Sequence, residues 1–270
     1  MKVGTSLTRL VEVMELLRSE NGCPWDREQT HQSLKPCVVE ETYEVLEAID
    51  SGKMDKLKEE LGDLLLQVVF HAQLASETQQ FNMDDIITEI VNKLIRRHPH
   101  VFADTKVENV AGVLDNWEKI KKTEMPGERE SALDGVPKDL PGLMKAAKLQ
   151  SKASKVGFDW GNLEGPLAKV KEEFGEFEEV LMSEKTPVQG SPEWEHLEEE
   201  FGDILFALVN VGRFLKINSE LALLKTNAKF EKRFRFMEQE AIKLGKDLRQ
   251  MTLAEMDELW ELAKKVNHEN

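Results

Sequence analysis

The chain has 270 residues, with 36 Lys and Arg against 51 Asp and Glu, so its formal net charge is −15. Hydrophobic residues make up 40% and charged residues 32%, a globular composition that excludes a disordered acidic chain. The negative charge disfavours nucleic acid and membrane surfaces as partners, since both are anionic, and it is compatible with divalent cations. Two cysteines, Cys23 and Cys37, make no disulfide framework, and we expect a cytoplasmic protein.

Apolar residues recur mostly with helical spacing along the chain. Clear stripes of this kind run through residues 10–17, 86–94 and 253–263. No stretch shows sustained alternation of β-branched and polar residues, and the glycines fall between the helical segments. The pattern predicts an all-α fold.

A proline-rich stretch breaks the chain near its middle. The segment EMPGERESALDGVPKDLPG contains three prolines among polar residues, which is typical of a linker. We therefore predict a first domain over residues 1–124, a linker over 125–141 and a second domain over 142–270.

The two predicted domains resemble two copies of one unit. EETYEV and EELGDLLLQVV in the first correspond to EEFGEFEEV and EEEFGDILFALV in the second. The matched pairs are Glu41 with Glu173, Glu44 with Glu176, Glu60 with Glu200, Asp63 with Asp203, Lys93 with Lys229, Arg97 with Arg233, and Trp117 with Trp260. Such ordered matches indicate duplication of a helical unit of roughly 120 residues.

The repeated carboxylates indicate a cation site. Residues three apart share a helix face, so Glu173 with Glu176 and Glu200 with Asp203 would converge if their helices pair antiparallel. Carboxylates packed this closely raise one another's pKa unless a cation neutralises them. Oxygen ligands without Cys or His suit Mg²⁺ or Mn²⁺. A solvated acidic face is the alternative for any single motif, but the apolar neighbours and the repetition disfavour it.

Basic residues accompany the second acid set. Lys169 lies four residues before Glu173, and Lys229 and Arg233 are four apart, so each pair shares a helix face. Cations beside a metal–carboxylate site suit a polyphosphate, although salt bridges to neighbouring glutamates are an equal alternative for any one of them. The chain has no G-x-x-x-x-G-K-[ST] motif, so the phosphate site is not a P-loop.

Other residues carry weaker signals. Trp260 and Trp160 could stack on a base, but tryptophans at helical spacing more often lie in the core. The segment from His98 to His100 is predicted as a turn after a helix rather than a metal site. The cysteines lack the neighbours that a nucleophile needs.

The order EExxE, ExxD and then a K…R helix resembles the MazG family of nucleotide pyrophosphohydrolases, within the all-α NTP pyrophosphatase group. The resemblance covers nearly the whole chain and is carried by GCPWDREQTHQSL, VEETYEVLEAI, EELGDLLLQVVFHAQ, RRHPHVF, VGFDW, LEEEFGDILFALVN and KFEKRF. It implies a four-helix core in each domain, a homodimer, and Mg²⁺-dependent hydrolysis of ribo- and deoxynucleoside triphosphates to the monophosphate and pyrophosphate.

The resemblance also implies the roles of individual residues. The catalytic and metal-binding set would be Glu173, Glu176, Glu200 and Asp203. The nucleotide-binding set would be Lys169, Glu172, Glu199, Asn210, Lys229, Lys232, Arg233 and Trp260. A second candidate metal cluster in the first copy would comprise Glu41, Glu44, Glu60 and Asp63.

The two copies differ beside their acids. The first copy has Cys37 in place of Lys169 and Phe70 in place of Asn210, so it lacks one cation and one polar group. We therefore predict that the second copy is the main hydrolase.

Two interpretations from other classes remain at this point. Glu28 with His31 and Glu193 with His196 fit the E-x-x-H spacing of di-iron bundles, although a proline shortly before each motif places it near a helix start. A non-enzymatic dimeric helical scaffold is the other alternative, and it gives no reason for the cations to accompany the carboxylates.

Overall fold

A computed structural model describes residues 6–107, 109–124, 131–182 and 188–266. Over these ranges the regular secondary structure is helical, without strands, which confirms the predicted all-α fold. The chain forms two compact units, Met1–Pro126 and Gly127–Asn270. Within the predicted linker, residues 131–141 contain turns and no helix, whereas residues 125–130 lie outside the described residues.

The described part of the first unit contains seven helices. They are α1 (Leu7–Arg18), α2 (Pro24–Glu28), α3 (Lys35–Ser51), α4 (Met54–Glu77), α5 (Met83–Arg97), α6 (Pro99–Phe102) and α7 (Val110–Thr123). The helix α5 begins with a capping box, in which Asn82 and Asp85 each accept a hydrogen bond from the other's backbone N–H. The helix α3 ends at Gly52, whose φ of 67° gives the left-handed conformation that glycine adopts readily.

The long helix α4 is the centre of the first unit, because α1, α3 and α5 all pack against it. The core between these elements contains Met14, Leu34, Val69, Phe70 and Leu74, each at most 8% exposed. This packing fixes the register of α3 against α4, and these two helices carry the first acid set.

The described part of the second unit contains five α-helices and one turn of 3₁₀-helix. They are α8 (Gly142–Ser154), α9 (Glu164–Leu181), α10 (Pro192–Phe214), α11 (Ser219–Lys243), the 3₁₀ turn (Leu248–Gln250) and α12 (Leu253–Val266). The helix α10 packs against α8, α9 and α11, while α12 packs against α11. A core cluster of Met237, Ala241, Met251 and Leu259 joins α11 to α12.

One local prediction needs correction. The segment from His98 to His100 is not a simple turn, because Pro99 starts the short helix α6. Proline is favoured in the first turn of a helix, where its missing N–H is no loss. Among the described helices, none combines the length and apolarity that a membrane span requires.

Candidate active site

Three of the four predicted acids of the second unit converge. The helix α9 positions Glu173, and α10 positions Glu200 and Asp203, with ligand oxygens that all lie within 4.8 Å of one another. Glu173 is 5% exposed, whereas Asp203 faces solvent. The i, i+3 spacing on α10 and the close packing of α9 on α10 produce this arrangement.

Glu176, the fourth predicted acid, is connected to the cluster by a hydrogen bond with Glu173. A hydrogen bond with Glu173 is the main cause that raises the pKa of the Glu176 carboxyl, and burial and the charge of Glu173 add to it. A hydrogen bond between two carboxyl groups requires that one of them holds a proton. The carboxyl of Glu176 therefore holds a proton more readily than that of an isolated glutamate does.

One carboxylate oxygen of Glu200 indicates that a cation fits this site. Its Oε2 atom is buried and has no hydrogen-bond partner among the described residues. The Nε2 atom of His196 lies 3.5 Å from the other oxygen, Oε1. A buried carboxylate oxygen is costly without a positive partner, so the cluster fits a hard divalent cation.

Lys169 is engaged by carboxylates in this structure. Its Nζ lies 2.8 Å from Glu172 Oε1 and 2.7 Å from Glu173 Oε1. These hydrogen bonds, the one to Glu172 first, raise the pKa of Lys169. The side chain is therefore charged at every physiological pH and lies at the edge of the acid cluster.

The remaining predicted cations form a separate group on α11. Arg233 stacks on Trp260 of α12, with its guanidinium carbon 5.7 Å from the ring centroid, and its buried Nε has no hydrogen-bond partner among the described residues. Trp260 also contacts Phe230 at 5.3 Å between ring centroids and packs against the core. Lys229 and Lys232 are exposed on the same helix.

Among the described residues, the acid cluster and the cations of α11 are not in direct contact through a hydrogen bond or ion pair. In the parts of the chain that the structure describes, no hydrogen bond or ion pair joins the acids of α9 and α10 to Lys229, Lys232 or Arg233. Glu172 and Glu199 are exposed on α9 and α10. Trp160 is 44% exposed, so it is not a core residue.

The sequence prediction missed a network around Asn210. Arg213 donates from Nε to Asn210 Oδ1 at 2.8 Å and from Nη1 to Asp159 Oδ2 at 3.0 Å. The Arg213 hydrogen bonds lower the pKa of Asp159. Because Asn210 Oδ1 is used as an acceptor, the amide nitrogen Nδ2 remains to donate. The sequence signal for this contact was the i, i+3 spacing of Asn210 and Arg213, which places both residues on one face of α10.

The first unit repeats the acid cluster. Glu41 and Glu44 of α3 and Glu60 of α4 have ligand oxygens within 4.8 Å of one another. Burial raises the pKa of Glu41 and of Glu60, and the charge of Asp63 raises that of Glu41 further. The second predicted cluster therefore exists as a geometric group, with Asp63 as an electrostatic neighbour.

The E-x-x-H motifs take no part in the candidate metal-ligand groups of the described residues. His31 lies in a turn after α2, and its Nδ1 is 2.7 Å from Nδ1 of His71 on α4. Burial and the charge of His31 lower the pKa of His71. Within the described ranges, the groups of three or more candidate metal ligands consist of carboxylates alone.

Fold and site together define a class: all-α proteins in which paired helices hold a cluster of carboxylates suited to hard divalent cations. The model of the MazG nucleotide pyrophosphohydrolase domain matches residues 29–102. The chain is 46% identical to the nucleoside triphosphate pyrophosphohydrolase of Escherichia coli K12, over 96% of this chain and 97% of that protein.

A second relative is the nucleoside triphosphate pyrophosphohydrolase/pyrophosphatase MazG of Thermotoga maritima, which is 45% identical over 97% of both chains. A solved structure of a mazG-related protein from the same organism aligns with 43% of this chain and 99% of its own, at 28% identity and a TM-score of 0.38. The chain belongs to the MazG nucleotide pyrophosphohydrolase family, so the predicted family and enzyme class are confirmed.

Proposed function

We propose that the second unit is the main active site of a Mg²⁺-dependent enzyme that hydrolyses nucleoside and deoxynucleoside triphosphates to the monophosphate and pyrophosphate. The observation that carries the proposal is the convergence of Glu173, Glu200 and Asp203 around a buried, unpartnered carboxylate oxygen. The names of the relatives support the reaction class.

Glu173, Glu176, Glu200 and Asp203 would hold Mg²⁺, with Mn²⁺ as a substitute. Oxygen donors alone suit these ions, and Mg²⁺ is commonly bound by a few carboxylates together with substrate phosphates. When bound, the ion polarises phosphate oxygens and lowers the pKa of water.

The acid cluster also takes up the proton of the attacking water. Water attacks the α-phosphorus, its proton passes to a carboxylate of the cluster, and the bond from the α-phosphorus to the bridging oxygen breaks. The products are the monophosphate and pyrophosphate.

The cations neutralise the phosphate chain and the leaving pyrophosphate. Lys169 lies beside the acids, with its Nζ 2.7 Å from Glu173 Oε1, and would neutralise a phosphate oxygen bound there. Arg233 has an unpartnered Nε and a guanidinium plane supported by Trp260, which suits bidentate binding of phosphate. Lys229 and Lys232 add charge on the same helix.

The rest of the nucleotide would contact α9, α10 and α12. Asn210 is only 6% exposed, and Arg213 orients its amide group through Oδ1, so its contact with the nucleotide would be made through the amide N–H. Trp260 is half-buried and offers an aromatic surface, while Glu172 and Glu199 are exposed polar groups.

The active form is proposed to be a homodimer. Equivalent helix positions expose large apolar residues in both units: Leu61, Leu65 and Val68 on α4, and Phe201, Leu205 and Leu208 on α10. Sedimentation equilibrium should give twice the chain mass, and a monomer at micromolar concentration would contradict this part of the proposal.

Product analysis with a panel of NTPs and dNTPs tests the reaction. Monophosphate and pyrophosphate should form with Mg²⁺ and disappear with EDTA. Glu173→Ala should abolish turnover, whereas the matched variant Glu41→Ala should retain it, because Glu41 belongs to the first cluster.

Two results would contradict the proposal. Diphosphate and orthophosphate as products would indicate attack at the γ-phosphorus. Loss of turnover in Glu41→Ala but not in Glu173→Ala would move the active site to the first unit.

A further inference from the structure

Three polar side chains of the second unit are hydrogen-bonded in series. Asp159 lies in the loop between α8 and α9, Arg213 lies in the last turn of α10, and Asn210 lies one turn earlier on α10. Arg213 donates from Nη1 and Nη2 to the two carboxylate oxygens of Asp159, and from Nε to Asn210 Oδ1 at 2.8 Å. A guanidinium fork that binds a carboxylate at two points has a fixed plane. Asp159 therefore aims the Nε–H of Arg213 at Asn210.

Asp159 is itself held in place by its surroundings. Its Oδ1 accepts a hydrogen bond from the backbone N–H of Trp160 at 2.9 Å. The Trp160 ring lies on the backbone of α9 at Gly165, where an added Cβ would be only 2.0 Å from the ring atom Cδ1. Only glycine permits this close approach of ring and backbone. The Asp159 carboxylate thus connects its loop, α9 and α10 within the second unit.

The network determines which end of the Asn210 amide can bind a ligand. The two ends of a carboxamide have nearly the same shape, but one accepts hydrogen bonds and the other donates them. Arg213 has donors only, so its Nε–H is satisfied by Oδ1 and would face another donor if the amide were turned over. In the described part of the chain Nδ2 has no hydrogen-bond partner, and it is not one of the fully buried unpartnered atoms. The Nδ2 atom can therefore donate to a ligand.

The position of Asn210 on α10 indicates which part of a nucleotide it would meet. Asn210 lies seven residues after Asp203, which is two turns along the same helix face and about 10 Å along the helix axis. With the phosphates at the acid cluster, this offset places Asn210 at the nucleoside end of the ligand. Sugars and bases carry hydroxyl oxygens, carbonyl oxygens and ring nitrogens that accept hydrogen bonds from an amide.

The first unit lacks the whole series. Phe70 stands in place of Asn210, and at the same offset Gln73 stands in place of Arg213. Gln73 donates from Nε2 to Glu77 Oε1 at 3.0 Å, one turn further along its own helix. An amide donor held by an arginine is therefore a property of the second unit, in which the main active site is proposed.

We propose that Asp159 and Arg213 are positioning residues, which hold the Asn210 amide with Nδ2 as the donor and so select nucleotides that present a hydrogen-bond acceptor on the sugar or the base. The inference rests on the proposed function, because it takes the acid cluster as the site of the phosphates. Asp159 and Arg213 act through Asn210 and need no contact with the nucleotide themselves.

A double-mutant cycle of the full chain tests this role. The Kd for a non-hydrolysable ATP analogue with Mg²⁺, and the KM and kcat for ATP, are measured for Arg213→Lys, Asn210→Ala and the double variant. Lysine keeps the charge beside Asp159 but lacks the Nε–H of the fork. Each single variant should raise Kd and KM by about tenfold with kcat within about twofold, as for loss of a contact made equally in the ground and transition states. The double variant should lie within about twofold of Asn210→Ala alone.

A second variant and a matched control separate positioning from stability. Asp159→Asn keeps the shape of the side chain and removes its charge, so it should raise Kd by about threefold, and by nothing further when Asn210 is alanine. It carries the cycle if Arg213→Lys does not fold. The control is Glu77→Gln, because Glu77 accepts from Nε and Nη2 of Arg18, both at 2.7 Å, in the first unit. This variant should leave Kd and KM unchanged even if its thermal midpoint falls.

Sugar-modified ligands separate the two sources of the acceptor. If the effect of Arg213→Lys on Kd disappears with the 2′-deoxy or the 2′,3′-dideoxy form of the analogue, the acceptor is a sugar hydroxyl. If the effect persists with both forms, the acceptor belongs to the base.

Three results overturn the positioning role. They are multiplied effects of Arg213→Lys and Asn210→Ala in the double variant, an unchanged Kd in Asn210→Ala, and no binding of the analogue to the wild-type chain. Failure of the proposed reaction is recognised separately. Other products or no turnover, together with the expected pattern of Kd values, would contradict the reaction and leave the positioning role supported.

Discussion

The two units share a helical plan and an acid cluster, but they differ in what surrounds the acids. At one position α9 carries Lys169 and α3 carries Cys37, and at another α10 carries Asn210 and α4 carries Phe70. Both first-unit residues belong to an apolar core, in which Phe70 is 3% exposed and Cys37 packs against it. At these two positions the second unit therefore has a cation and an amide, whereas the first unit has side chains that pack in its apolar core.

The proposal that the second unit is the main active site depends on this difference, because carboxylates alone repel a phosphate chain. Both clusters bring three carboxylates within 4.8 Å of one another, although the members differ: Glu41, Glu44 and Glu60 in the first unit, and Glu173, Glu200 and Asp203 in the second. What distinguishes the second is a cation beside the acids and an arginine whose Nε is unpartnered. The following predictions test this comparison, from the largest expected effect to the smallest.

Phe70→Asn should have the largest effect. It removes a buried ring from the core of Met14, Leu34 and Val69 and buries an amide in its place. The free energy of unfolding should fall by about 3–5 kcal/mol, as for other large-to-small core substitutions. Chemical denaturation followed by circular dichroism measures this, with the exposed Phe81→Asn as control. A loss below 1 kcal/mol would show that Phe70 is not a core residue.

Arg233→Ala should have the next largest effect, on catalysis. We expect kcat/KM for an NTP to fall by about 10–100-fold, because a charge that stabilises the leaving pyrophosphate is lost. Arg97→Ala should leave kcat/KM within about twofold, since its guanidinium is already bound to Glu124. Steady-state kinetics measure kcat/KM for both variants. An equal loss in the two would contradict the predicted difference between Arg233 and Arg97.

The pH dependence of stability should show the smallest effect. The pKa of Glu124 is about 2 in the folded protein, below its usual value of 4.5. Its contribution is therefore complete above pH 4.5 and is lost as the pH falls towards 2. The difference in thermal midpoint between wild type and Glu124→Gln should shrink over that window. A difference that does not vary with pH would exclude this linkage.

The helices and the acid clusters could be predicted because both follow from local spacing. A period of 3.6 residues predicts a helix, and carboxylates three apart on adjacent helices converge, as Glu200 and Asp203 do with Glu173. The internal repeat allowed the same prediction for the first unit. The roles of these residues in catalysis stay predictions.

Contacts between distant positions could not be predicted in this way. Arg97 and Glu124 are 27 residues apart, and Arg213 and Asp159 are 54 apart. Their partners are selected by how helices and loops pack, which a single sequence does not specify. Arg97 illustrates the point. The internal repeat predicts that Arg97 corresponds to Arg233, but only the structure shows that Arg97 is bonded to the carboxylate of Glu124.

The packing of Phe70 and Cys37 also limits how the residues of the second unit could be introduced into the first. Asparagine at position 70 would bury an amide and leave a void, and lysine at position 37 would bring a charge against the same core. Each change would therefore lower stability before it could add a contact to a phosphate.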